Sequence, residues 1–249
     1  MTVHCGLDNG VAELVVDNPP LNLLTLAVRA ELAAQARRLA GDEACRVVVV
    51  RGAGGRAFSA GSDVREFPSD EAGGFERADL EHGWFAALAD LPQPTIAVVH
   101  GHTLGGGLEL ALTCDIRVAD EQAHLGFPEA GLGLVPCGGG TARLPHLVGA
   151  ARAQLLLLST ERITAGQALA YGLVDQVVPA GRLRETVAGL AASIAAAPGA
   201  TTRAIKAAVR TSVTEGVDAG LAAERRLGGP LFATERAQQA VRGFLKEKS

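Results

Sequence analysis

The 249 residues are 48% hydrophobic and 20% charged, enough apolar material for a sizeable core, and these proportions exclude an extensively disordered chain. A formal net charge of -4 offers no basic field to a polyphosphate backbone, which excludes nucleic acid as the main partner. There is no apolar run of about 18 residues, and the first ten residues lack the basic start and apolar stretch of a signal peptide, so a cytoplasmic protein without membrane attachment is expected.

In chain order, VAELVV (11–16) predicts a strand that ends at Asp17-Asn18-Pro19-Pro20, because paired prolines cannot continue a ladder. Thr25 is placed to cap a helix over 26–39, where apolar residues recur at helical spacing among Arg29, Glu31, Arg37 and Arg38. Residues 47–50, four valines without alternation, have the pattern of a strand buried on both faces. A glycine turn at 52–55 leads to AFSAGSDV (57–64), and after Pro68 a polar, mobile stretch is expected to Arg77. Residues 80–88 predict a helix, and 95–99 a second buried strand set up by Pro92 and Pro94. LELALTCD (108–115) reads as a short helix and IRVAD (116–120) as a strand; the glycines at 138–140 open a helix through 147. Residues 151–158, 165–171, 182–197 and 201–213 are helical by composition and period, with one late strand at 174–178. The change from strand-turn-helix units to nearly pure helix near residue 180 marks the tail as a docking or oligomerisation element.

Thirty-one glycines against eleven prolines, with no Gly-X-Y period, point to places where backbone meets backbone or a ligand. In HTLGGGLELALTCD three of them stand at a strand-to-helix junction, where unpaired N–H groups and the positive end of the helix dipole favour negative charge. Glu109 follows Gly106 by nearly one turn, so its carboxylate can project beside those groups; a tightly packed turn with an exposed Glu is the equal alternative. Ala60 and Gly61 offer a second backbone donor, and two such loops would converge on a developing oxyanion. Glu129, held by Pro128 in GFPEAGLG, could share a water or a substrate proton with Glu109. By the general exposure of Glu it reads more readily as a surface residue.

Other patterns are set aside. GAGGRA (52–57) matches a dinucleotide fingerprint, but no helix is expected after it. Ser59 in AFSAG is read as lying well beyond the end of a strand, which is wrong for a hydrolase nucleophile. His100 and His102, followed only by His124 and His146, lack the further spacing of a metal set, and no metal is expected. Cys5, Cys45, Cys114 and Cys137 form no C-x-x-C pair and read as buried, reduced thiols.

Five segments in order, NPPLNLL (18–24), AFSAGSDV (57–64), GHTLGGGLELALTCD (101–115), FPEAGLGLVPCGGGTARL (127–144) and ITAGQALAYGLVDQVV (163–178), resemble the enoyl-CoA hydratase/isomerase (crotonase) superfamily, and the resemblance extends along the whole chain. It implies an α/β fold: a crotonase-like ββα spiral over 1–190 carrying the acyl-CoA site, then a helical region, 191–249, that supports homotrimers or dimers of trimers. It assigns the backbone N–H groups of Ala60 and Gly106 to the thioester oxygen, Glu109 to water activation and Glu129 to delivery of the α-proton. Implied contacts to coenzyme A are Leu21, Leu23, Ser62, Asp63 and Val64, with Phe232 and Lys246 supplied by the same or a neighbouring subunit. The implied activity is reversible syn hydration of 2-trans-enoyl-CoA, with no cofactor beyond the CoA that the substrate carries. Isomerisation of the double bond and acyl-CoA binding without turnover are the alternatives. Three departures from the family pattern bear on acyl specificity: Pro20-Leu21-Asn22 where a basic residue is common, Ser62 for the more usual alanine, and His100 and His102 ahead of the glycine triplet.

Overall fold

The computed structural model describes residues 2–246, Lys246 by its backbone alone. Along them the elements run β1 (Val3–Asp8), β2 (Val11–Val16), α1 (Leu26–Ala40), β3 (Val47–Gly52), β4 (Ala57–Ser59), α2 (Glu71–Ala89), β5 (Thr95–Val99), β6 (His102–Leu104), α3 (Gly106–Leu112), β7 (Ile116–Asp120), β8 (His124–Gly126), α4 (Gly140–Val148), α5 (Ala150–Ser159), β9 (Arg162–Thr164), α6 (Ala165–Tyr171), β10 (Gln176–Val178), α7 (Leu183–Ala196), α8 (Gly199–Glu215), α9 (Val217–Gly228) and α10 (Glu235–Lys246). Short 3-10 turns lie between some of them.

The strands form two sheets, ordered β1-β2-β3-β5-β7-β10 and β4-β6-β8-β9. From β2 to β10 every neighbour in the first sheet is parallel, and so are β4, β6 and β8 in the second. Each turn of the chain therefore places one strand in each sheet and returns through a helix: β3-β4-α2, β5-β6-α3 and β7-β8-α4. This is the ββα spiral.

The valine run of β3 explains why the large sheet is central. Val48 and Val50 enter one apolar cluster with Leu14, Ala97 and Val99, while Val47 and Val49 enter a second with Ile96, Val98 and Val118. A strand covered on both faces has no polar side, so it shows no alternation. Helix α1 begins where expected, the Thr25 hydroxyl accepting from the Val28 N–H at 3.2 Å. Helix α7 closes the second cluster with Leu183, Val187 and Ala191. The division expected at residue 190 thus falls inside a helix that packs on the sheet. The helices that follow the sheet-packed core start at Gly199.

Two local expectations are corrected. The stretch expected to be mobile up to Arg77 is helical from Glu71, with the Asp70 carboxylate capping the Gly73 N–H at 2.9 Å. Strand β4 reaches Ser59, so the strand does not end well before that serine. No helix among the described residues is long and apolar enough to cross a membrane.

Candidate active site

A cavity of about 180 Å³ lies between the loop after β4, the first half of α2, the β6–α3 junction and the segment after β8. Helix α3 brings Glu109 into its wall. The side chain is only 2% exposed, and its Oε1 accepts the N–H groups of Gly138 and Gly140, each at 2.8 Å. Burial raises its pKa to about 7; the charges of Glu81 and Glu129 push the same way, and the two N–H bonds oppose them. The alternative of an exposed Glu at a packed turn does not hold.

Glu129 opens the 3-10 turn after β8 and also lines the cavity. It is half-buried, its Oε2 is enclosed without a hydrogen-bond partner, and burial raises its pKa to about 7. Its Oε1 packs so closely on Gly105 that a Cβ there would collide with it. Gly105 also has φ +51°, a conformation that side chains rarely adopt. The junction between β6 and α3 can be built only with glycine at that position.

The backbone donors differ from expectation. Gly106 is the first residue of α3, so its N–H lacks a helical acceptor, and Gly106 lines the cavity. The Ala60 N–H, however, donates to the Leu21 carbonyl at 3.0 Å, and the Gly61 N–H donates to Ser59 Oγ at 3.1 Å. The expected role of Ala60 is thereby taken away. The next donor along the cavity wall is the Ser62 N–H, whose nitrogen stands 3.6 Å from where a Cβ on Gly106 would be. Nothing in the sequence shows that Leu21 consumes the earlier donor, because the two loops meet only in the fold.

The remaining predicted residues divide. Val64 lies exposed on the cavity rim. The Asp63 carboxylate caps the 3-10 turn Val64–Glu66 and pairs with Arg65 at 2.5 Å, which holds its pKa below the usual range; it does not line the cavity. Leu21 and Leu23 are half-buried in a loop joined to Ser62 through the Leu24–Ser62 bridge, outside the cavity wall. Phe232, 79% exposed in the 3-10 turn after α9, does not reach the cavity of its own chain. The side chain of Lys246 lies outside the described residues.

Three residues not singled out as site residues stand at the site. Arg77 and Glu81 of α2 line the cavity and pair at 2.5 Å. Arg29 of α1, 1% exposed, pairs with Glu81 at 3.5 Å. Each left a signal: Arg77 and Glu81 have the i,i+4 spacing of a helix pair, and Arg29 lies on the same helical stripe as Leu32, Ala33 and Ala36.

The patterns set aside take other places. Residues 53–56 form the turn between β3 and β4, and Ser59 is fully buried behind the cavity. His100 is buried with Nδ1 at 3.2 Å from the Val98 carbonyl, and burial lowers its pKa. His102 stands near His124, ring centroids 6.4 Å apart. Among the described residues no three His, Cys, Asp or Glu side chains are grouped to hold a metal ion. All four cysteines are free, but only Cys45 and Cys114 are buried; Cys137 is exposed in the cavity wall and Cys5 is partly exposed. Cys45 and Cys114 enter the larger apolar cluster, whereas Cys5 stands on the edge strand β1 and Cys137 in the loop before α4.

Two carboxyls with pKa near 7, lining one cavity with a glycine-built helix start within a ββα spiral, define a crotonase-fold protein. The chain belongs to the enoyl-CoA hydratase/isomerase family, whose model matches residues 6–249. It is 34% identical over 249 residues to a probable enoyl-CoA hydratase of Bacillus subtilis, covering 99% of this chain and 96% of that one. It is also 34% identical to a short-chain-enoyl-CoA hydratase of Clostridium acetobutylicum, covering 96% and 92%. The crystal structure of an enoyl-CoA hydratase from Bacillus anthracis superimposes with a TM-score of 0.94 at 32% identity, covering 99% and 97%.

Proposed function

We propose that this enzyme adds water reversibly and syn to 2-trans-enoyl-CoA, giving 3-hydroxyacyl-CoA. The observation that carries the reading is the convergence of Glu109 and Glu129, both with pKa raised to about 7, on one cavity with the Ser62 and Gly106 backbone N–H groups. The thioester oxygen of the substrate accepts from those two N–H groups, which stabilise the charge it gains as the conjugated alkene is attacked. Ionised Glu109 takes a proton from water while the water oxygen bonds to the β-carbon; protonated Glu129 gives its proton to the α-carbon. Water is consumed whole, and no oxidant or cofactor is required.

In the same reading, CoA follows the Leu21, Leu23 and Ser62–Val64 loops, and Phe232 and Lys246 come from a neighbouring subunit. The protein works in the cytoplasm as a homotrimer or a pair of trimers, with 191–249 as the assembling region. The names of the relatives support hydration, and so does the presence of both carboxylates.

Incubation with crotonyl-CoA tests it. Loss of the conjugated-thioester absorbance is expected, and Glu109→Gln or Glu129→Gln should lower turnover by about a hundredfold or more, with thioester affinity much less changed. Unchanged absorbance with crotonyl-CoA and longer 2-enoyl-CoAs would sink the reading, and conversion of 3-enoyl-CoA to 2-enoyl-CoA would replace it with isomerisation.

A further inference from the structure

We infer that Arg29 is a positioning residue that holds Ser62 in place and sets positive charge behind the thioester oxygen. This rests on the reading that the Ser62 and Gly106 N–H groups bind that oxygen.

A guanidinium that is 1% exposed is costly to bury unless its fork is engaged. Here Nη1 donates to the Leu24 carbonyl and Nη2 to Ser62 Oγ at 2.7 Å, so the fork ties the end of α1's approach loop to the donor loop. Arginine has no acceptor, which fixes the Ser62 hydroxyl as the acceptor of that bond. An alanine at position 62 would offer Arg29 no oxygen, so the bond to Arg29 depends on the serine.

The same Nη2 would lie 2.9 Å from a Cβ on Gly106, so the cation packs directly behind the other donor residue. Its ion pair is incomplete: Glu81 stands 3.5 Å from Arg29 but 2.5 Å from Arg77, so two guanidinium groups share one carboxylate. Burial lowers the pKa of Arg29 to about 10, which still leaves it charged at neutrality. Of the other groups acting on it, Glu81, Glu109 and Glu66 favour its charge and Arg77 opposes it. An aimed charge in a water-poor site acts more strongly than in solvent and needs no reorganisation during the reaction. Arg29 touches neither the water nor the carbons that react; it acts through Ser62 and through its field.

The test reads polarisation directly. A 4-(dimethylamino)cinnamoyl-CoA probe absorbs further to the red when its thioester carbonyl is polarised, and binding to the wild type should produce that shift. Arg29→Lys, which keeps the charge without the fork, should retain most of the shift and lose about tenfold in kcat. Arg29→Gln should lose most of the shift and about a hundredfold in kcat, with KM for crotonyl-CoA within about threefold. Ser62→Ala, which leaves the cation and removes its anchor, should fall between them.

Equal losses in the Lys and Gln variants, in step with their melting temperatures, would mark a purely structural residue and overturn the inference. So would a full shift in Arg29→Gln or no shift in the wild type. If the Gln variant does not fold, the Lys variant decides: a wild-type melting temperature with the shift abolished counts against the role of charge. Wild-type protein that shifts the probe but hydrates nothing would remove the hydratase reading and leave the role of Arg29. Hydration with a shift indifferent to Arg29 would do the reverse.

Discussion

At the scale of single residues, the position of Glu109 decides its chemistry. A surface glutamate would be ionised throughout the neutral range, whereas this one is displaced from 4.5 to about 7 by burial, and Glu129 reaches the same value for the same reason. In the proposed reaction Glu109 must be ionised and Glu129 protonated. Activity should fall below about pH 7 as Glu109 takes up a proton and above it as Glu129 loses one, giving a bell for kcat/KM centred near neutrality. Its two limbs belong to the pair rather than to either residue. A profile flat from about pH 5.5 to 8.5 would count against the assignment. The effect on stability has a definite sign. Both groups bind protons more tightly folded than unfolded, so their contribution is fully present below 4.5 and is lost as pH rises through about 7. The two carboxyls thus weaken the fold in the neutral range. Neither perturbation is legible in the sequence: it shows a Glu near a glycine triplet, while Gly138, Gly140 and Glu81 approach only through the spiral.

Among the elements, legibility followed length. Helix α1, strands β3 and β5, and helix α6 all lie close to where periodicity and punctuation placed them. Strands β4, β6, β8 and β9 have three residues each, too few to display a period, and they pair because neighbouring turns of the spiral hold them in register. Helix α2 was half hidden because Gly73, Gly74 and Gly83 dilute its helical signal, while the Asp70 cap and the Arg77–Glu81 pair support it. Helix α6 is fixed locally: the Thr164 hydroxyl accepts from the Gln167 N–H at 3.3 Å, and Gln167 Oε1 accepts from the Thr164 N–H at 2.9 Å. Thr164→Ala should cost about 1 kcal/mol in urea unfolding and leave turnover unchanged, since the capping box is remote from the cavity. No loss of stability would mean that α6 is held by packing alone.

Across the whole chain, the C-terminal helices leave an apolar stripe uncovered. Ile205, Val209 and Val213 recur every four residues on α8, each more than half exposed, along a groove of about 430 Å³ that also contains Pro94 and Ile194. A continuous apolar stripe of this kind favours association. Sedimentation equilibrium should give three or six chains, and Val209→Lys should shift the distribution toward smaller species; a monomer at micromolar concentration would refute the assembly. Local periodicity, together with motifs that survive without neighbours, was enough to read the family and the order of the main helices and buried strands. The backbone N–H left over for the cavity, the pKa near 7 of both carboxyls, and the place of Arg29 against Ser62 emerge only in the folded chain. Each of these depends on burial and on hydrogen-bond partners from distant segments, such as Leu21 taking the Ala60 N–H and Ser62 receiving Arg29, and no window of sequence contains both members of such a pair.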